Sequence, residues 1–452
     1  EGEGAAPLVF FVDRDRFGSV RDGTSWEQAF RTIQPAIDAA QNAGGGEVWV
    51  AEGRYNEARA NGGALVLRAG VALYGGFAGD ETARGQRDWV QNRTTIDGFE
   101  AASGAPAATV IRGADDAVLS GFIVRGGRGV NGAGMVNDGV APRIEFCVFT
   151  DNRALELGGA MYNTAGAAPE ILNCIFFANR AEIHGGAIAN DVASPRLIGC
   201  TLSENVAAFR GAGLYNLIDS DPVLVNCIVW NNPPEEIGNT GDSRPDVSYT
   251  VISEVTPGVG NIFTGPAFRN PGIGNFTVLP GSVAIDTGRD TSPAAFANVT
   301  RDYEGVLRGF DGDQSGRVTG DGSDYDIGAE EFVGEDGFRF HSADTENDFD
   351  ISLSELLRVV QFFNVGGYTC MLGTEDGYVP GKPAALNGEG EAMAEGEGED
   401  APCADGAPHD SDYQPQDFCI SLSELLRLVQ FFNSPGGYRG QDGTEDGFEP
   451  LA

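Results

Sequence analysis

The sequence predicts an all-β chain: a parallel β-helix (β-solenoid) with an N-terminal capping helix, followed by a small α-helical, calcium-loop C-terminal domain. Three observations carry this. One pattern is written four times between Asn131 and Trp230, with its Cys residues spaced 27, 26 and 27 positions apart. Each copy holds short runs of β-branched residues, and the unit is too short for a helix pair. Far downstream, residues 351–364 recur at 420–433 with a single change, Val359 to Leu428. The expected segments are an acidic extension (1–7), the β-helix (8–255), a closing segment (256–335) and a duplicated module (336–452) with a Gly-Glu linker at 381–400.

Within each repeat a Gly-rich turn (Gly132, Gly158, Gly185, Gly211) precedes an Asn (137, 163, 190, 216) and a Pro (142, 169, 195, 222). An apolar strand around Cys147, Cys174, Cys200 or Cys227 follows, and an Asn at 152, 179, 205 and 231 or 232 closes the copy. Repeats of this period mark solenoids, in which each coil buries its apolar face on its neighbours. Stacked at the ~4.8 Å parallel spacing, about eight to ten coils would make a rod of ~40–50 Å. The four Cys would stack in one column with parallel side chains, so small buried thiols are expected rather than disulfides.

Phe176-Phe-Ala-Asn179 with Gly185-Gly-Ala-Ile188 resembles the FxxN and GGA[I/L] repeats of chlamydial polymorphic outer-membrane proteins. Over roughly residues 8–335 the chain is similar to secreted bacterial right-handed β-helix proteins of the pectin-lyase-like fold. That resemblance implies a right-handed coil, and it implies export to an extracellular, cell-surface setting. It does not imply an activity, because lyases, hydrolases, adhesins and structural proteins share the fold.

Taken in order, residues 8–13 form a first strand. Ser25-Trp-Glu-Gln28 has the form of a capping box, and Phe30, Ile33 and Ile37 follow at helical spacing until Gly44. A helix there would cover the open end of the solenoid and protect its strand edges. Pro35 predicts a kink or two short helices. Less regular coils run from 65 to 125, interrupted by a long polar loop at 78–92, the kind of loop in which a solenoid carries specificity. In the closing segment, Asp311, Asp313 and Ser315 begin a calcium-type loop that Asp321, Asp324 or Asp326 would complete; a solvated acidic turn is the alternative.

The net charge is −38, from 67 acidic and 29 basic residues, with Lys382 the only lysine. Such a chain repels nucleic acid and anionic membranes; its acidity serves either cation binding or solubility. No apolar run is long enough to span a bilayer. Because the family resemblance implies export, the opening Glu1-Gly-Glu-Gly4 is expected to belong to a mature form of the chain.

In the duplicated module Asp344, Glu346, Asp348, Asp350, Ser352 and Glu355 fall at positions 1, 3, 5, 7, 9 and 12 of an EF-hand-type loop. Hard oxygen ligands at that spacing suit Ca²⁺, although Phe349 replaces the usual Gly. The second copy offers Asp410, Asp412, Asp417 and Glu424 in a broken register. Capping boxes at Ser352/Glu355 and Ser421/Glu424 are the alternative reading. Loop plus helix in duplicate resembles a dockerin, a module that docks one secreted protein onto another. A Cys370–Cys403 bridge would tie the halves together and requires an oxidising compartment. The Gly-Glu linker predicts disorder.

No column of carboxylates runs up the repeats: Glu145, Leu172, Ile198 and Val225 precede the Cys by two, and Arg143, Glu170, Arg196 and Val223 by four. His184 shares a column with Leu157 and Arg210 and reads as a surface residue. The expectation is therefore a non-catalytic structural or adhesive protein, a self-assembling filament subunit joined head-to-tail to copies of itself or to another surface protein. The alternative is a surface-attached glycan-binding protein or a polysaccharide lyase or hydrolase. Ile144, Ile171, Leu197 and Leu224, with Val148, Ile175, Thr201 and Ile228, would form an outward apolar stripe for a partner if the strands alternate strictly, or be buried if the coil bends.

Overall fold

The computed structural model describes residues 7–16, 20–279, 281–297, 299–309, 321 and 323–332, with Val360, Val429 and four short strands near the C-terminus. Residues Glu1–Phe332 form one compact unit and Val333–Ala452 a second. The first is a right-handed parallel β-solenoid of about eight turns, with sheets of nine, eight, seven and four strands. One coil shows the plan. Arg143–Glu145 lies in the first sheet, Val148–Thr150 in the second, Met161–Thr164 in the third, and Arg153–Leu157 in the short fourth between them.

The N-terminal helix, α1 (Ile33–Asn42), starts later than the capping-box pattern suggests. Residues 25–28 make only a turn, with the Gln28 N–H donating to the Ser25 carbonyl at 3.1 Å, and Phe30 bridges to Val12. Pro35 sits in the first helical turn, where its missing N–H has no partner to lose. The buried face of α1, Ile33, Ala36, Ile37 and Ala40, packs on the earliest strands.

Strict alternation fails at one repeated point, and this corrects the outward-stripe expectation. Phe146, Asn173, Gly199 and Asn226, each just before the Cys, have φ of 52°, 48°, 59° and 51°. A left-handed residue there turns the chain from the first sheet into the second and resets which face is inward. Ile144, Ile171, Leu197 and Leu224 therefore point into the core, as do all four Cys, at 0% exposure. The thiols are free and buried, as the single column implies. Phe149 and Phe176 stack between coils, centroids 4.9 Å apart.

Val148, Ile175, Thr201 and Ile228 do point outward, yet they are covered. Their partner is the chain itself. Val148 and Ile175 cluster with Phe276 and Ala329, and Ile228 with Val278, Ile285, Ile327 and Phe332. On the first sheet Leu172 and Ile198 lie under Val299. The closing segment thus runs back along the outside of the solenoid. Left-handed Asn173 and Asn226 fasten it, their amides donating to the Arg301 and Arg289 carbonyls at 2.6 and 2.8 Å.

The repeated Asn residues become buried amide ladders. Asn137, Asn163, Asn190, Asn216 and Asn239 are linked side chain to side chain at 2.8–2.9 Å. Asn152, Asn179, Asn205 and Asn232 form a second ladder, which ends on buried Glu236 at 2.6 Å. An amide both donates and accepts, so each coil satisfies the next without water.

In the C-terminal unit Tyr368–Cys370 pairs antiparallel with Tyr378–Pro380, and Tyr438–Gly440 with Phe448–Pro450. The two hairpins occupy matching places in the duplication, and Val360 and Val429, at matching helix positions, are helical.

Candidate active site

The polar loop at 78–92 forms one wall of a cleft of about 520 Å³. Arg84, Gly85, Arg87, Asp88 and Trp89 line it from the loop, and Arg301, Glu304 and Gly305 from the closing segment. The loop is rigid for local reasons. The Glu81 carboxylate accepts from the Ala78 and Gly79 N–H groups at 2.6 and 3.0 Å, and Asp88 Oδ1 accepts from those of Val90 and Gln91 at 2.9 and 3.0 Å. Trp89 joins the two walls: its ring stacks on Phe146 at 4.7 Å and its Nε1 donates to the Tyr303 carbonyl at 2.6 Å.

The guanidinium groups differ in what they are free to do. Arg87 is structural, sandwiched between the Tyr74 and Trp89 rings at 4.9 and 4.7 Å and donating to Ser120 Oγ at 2.7 Å. Burial pulls it down to about 10, so it still carries its charge at neutral pH. Arg84 is ion-paired with Glu47 at 2.6 Å but half exposed. Arg301 donates to the Gly305 carbonyl at 2.6 Å, is exposed, and makes no ion pair among the described residues.

Glu304 is exposed, so its carboxyl is within a ligand's reach. Its surroundings nonetheless push it up to about 7, by desolvation first, then by Asp302 and Asp88. Behind this wall lies a buried cluster: Arg308 and Glu331, both fully enclosed, pair at 2.7 Å beside Asp302 and Asp326. A carboxyl whose proton affinity is raised, in one cleft with guanidinium groups, has the make-up of a proton-transfer site for an anionic ligand.

The remaining residues singled out in the sequence fall elsewhere. Arg143, Glu170 and Arg196 stand on one outer sheet face as an ion-paired ladder, with contacts of 3.5 and 3.0 Å. His184 is half-buried and stacked on Tyr215 at 4.2 Å. Asp326 accepts from the Asp286 and Phe332 N–H groups, so both its oxygens are taken within the closing segment. Asp344, Glu346, Asp348, Asp350, Ser352, Glu355, Asp410, Asp412, Asp417, Glu424 and Cys403, like Asp311, Asp313 and Ser315, lie outside the described residues. Cys370 ends the strand Tyr368–Cys370. Among the described residues no group of three or more His, Cys, Asp or Glu is arranged to hold a metal ion.

Residues 18–231 match a family model described as "Protein of unknown function (DUF1565)". That span includes the loop wall of the cleft but not the 301–305 wall. Over 81 residues the chain is 37% identical to mannuronan C5-epimerase AlgE3 of Azotobacter vinelandii, a match covering 17% of this chain and 4% of the epimerase. Among solved structures it is similar to pectin methylesterase of Aspergillus niger, in two deglycosylated forms. One is 17% identical over 58% of this chain and 88% of that one, with a TM-score of 0.24. The other is 16% identical over 62% and 84%, with a TM-score of 0.26. The expectation of a non-catalytic chain is corrected here: the sequence relative is an enzyme.

Proposed function

We propose that this chain acts on an acidic polysaccharide in the cleft between residues 84–89 and 301–305. One observation carries the reading: Glu304, with its proton poised near neutrality, shares a 520 Å³ cleft with the exposed guanidinium groups of Arg84 and Arg301. A uronate carboxylate held by Arg84 and Arg301 has its charge neutralised, which acidifies the C–H bond beside it. Glu304 in its ionised form then takes that proton, and Asp88 across the cleft keeps its proton affinity high. Loss of this proton to Glu304, followed by delivery of a proton from solvent to the opposite face of the same carbon, inverts its configuration, which is the step an epimerase needs. The similarity to a mannuronan C5-epimerase over 81 residues supports that reaction class.

The test is proton exchange in D₂O followed by NMR, with alginate and with polygalacturonate. Loss of the signal of the proton beside the carboxylate, abolished in Glu304→Gln and weakened in Arg301→Gln, is the expected result. No exchange and no new product with either polymer overturns the proposal.

A second proposal concerns where the enzyme sits. The duplicated sequence and its two matching hairpins support an attachment module, with Ca²⁺ held by Asp344, Glu346, Asp348, Asp350, Ser352 and Glu355, and in the second copy by Asp410, Asp412, Asp417 and Glu424. Extracellular, cell-surface display, docked on a second copy of the chain or on another surface protein, follows from that reading. Electron microscopy in calcium and after EGTA tests it: filaments or complexes that persist unchanged in EGTA overturn the calcium-set joint.

A further inference from the structure

The fourth sheet sets like charges directly on top of one another. Arg128, Arg153 and Arg180 are register partners on successive coils, with side chains 32%, 53% and 47% exposed. Arg125 stands beside them, 46% exposed. Two surface carboxylates answer these four guanidinium groups. Asp151 pairs with Arg125 and Arg128 at 3.3 and 3.0 Å, and Glu182 pairs with Arg180 at 3.0 Å and accepts from Arg153 Nε at 2.7 Å. Asp97, which Arg125 approaches at 3.6 Å, is buried and already holds Arg54 at 2.9 Å.

Like charges opposite one another across a ladder are unfavourable, and this chain carries 67 acidic residues from which to neutralise them. The file is left half-compensated instead. On its strands, or just after them, stand three exposed apolar residues, Val130, Leu155 and Phe209, at 52%, 60% and 64% exposure. Glu156 is exposed on the far side of Leu155. A cationic file beside an apolar strip fits a polymer with carboxylates on one edge and C–H faces on the other.

We propose that this file is a second polyanion-binding surface, holding a carboxylated polysaccharide along the coil axis away from the cleft. One guanidinium recurs per coil at ~4.8 Å, a spacing comparable with one sugar residue. The ligand class rests on the polysaccharide reading above; the position does not depend on the cleft. Such a surface keeps a long chain attached while the cleft works on one stretch of it.

The experiment compares a long alginate with an alginate trisaccharide on Arg153→Gln/Arg180→Gln and, separately, on Arg301→Gln. Affinity is read by calorimetry at low and high salt, and exchange in D₂O reports turnover. The file variant is expected to bind long alginate at least about tenfold more weakly, with a shallower salt dependence, and to turn over the trisaccharide like the wild type. Arg153→Lys/Arg180→Lys should recover most of the binding, and melting curves confirm that the variants fold. Unchanged long-chain affinity in the glutamine variant overturns the proposal. So does equal or tighter binding of poly-glutamate, which would assign the file to an acidic protein. If Arg301→Gln leaves turnover intact while the file variant loses binding, the cleft assignment fails and the surface stands.

Discussion

Arg308→Met should loosen the closing segment, and by an amount that depends on pH in a calculable direction. Arg308 has no exposed side-chain surface. Its Nη1 donates to Glu331 at 2.7 Å and its Nη2 to Asn173 Oδ1 and the Gly328 carbonyl, both at 2.7 Å, so it ties the segment to the solenoid. Removing one partner of a buried pair costs about 3–5 kcal/mol. Burial pushes Asp302 up to about 6 and Glu330 up to about 8, with Arg308 pulling both the other way. These values lie above those of an unfolded chain, so the contribution is complete below about pH 4 and is lost as pH rises to about 6 for Asp302 and to about 8 for Glu330. For Asp302 alone, moving from 3.8 to about 6, the loss is about 3 kcal/mol. Without Arg308 the carboxyls hold their protons more tightly still. The variant's deficit should therefore be small at pH 5 and full at pH 8. Hydrogen exchange over residues 299–309 and 323–332 would follow the local opening, and Trp89 fluorescence would follow its bond to Tyr303. A deficit that is equal at pH 5 and pH 8, or below about 1 kcal/mol at pH 8, would refute this account.

Three further outcomes are expected. Asn163→Leu, in the middle of the first amide ladder, leaves Asn137 without its acceptor and Asn190 without its donor; it should cost about 2–4 kcal/mol in urea melts, and Asn239→Leu at the open end distinctly less. Cys147, Cys174, Cys200 and Cys227 should stay silent to a thiol reagent in the native protein and react together on unfolding, because burial also raises the proton affinity of Cys174 and Cys200. Asp348→Asn should weaken calorimetric Ca²⁺ binding by the C-terminal module without changing cleft turnover; loss of turnover would mean that the two are coupled.

The solenoid was legible because its signal is local and repeated. A turn, an Asn, a Pro and a Cys held in register every 26 or 27 residues specify a coil that stacks on itself. The left-handed corner was harder to see, since three different residue types (Phe146, Asn173 and Asn226, Gly199) occupy it and only Asn and Gly favour that conformation. Without it, period-two alternation assigned the inward Ile144 column to the wrong face.

The cleft was half legible for a different reason. Residues 78–92 stand out as a long polar loop, but Arg301 and Glu304 lie more than 200 positions away, and Trp89 meets Tyr303 across 214. Nothing periodic links them. The link is the outward column of Val148, Ile175 and Ile228, which reads in sequence as a surface for another molecule. Because the closing segment satisfies that column, the chain carries residues 301–305 back along the rod to the loop. The apolar stripe and the cleft are thus one design: burying the stripe is what assembles the second wall. It follows that changes in the stripe should act on the cleft at a distance. Ile175→Asp, at a position that does not line the cleft, should impair turnover by releasing Phe276 and Tyr303 and the wall with them, while the amide ladders and the far coils keep their hydrogen-exchange protection. Normal turnover in that variant would mean that the wall holds its place without the stripe, and the polar anchors, Arg308 with Asn173 and Trp89 with Tyr303, would then be the ones to test.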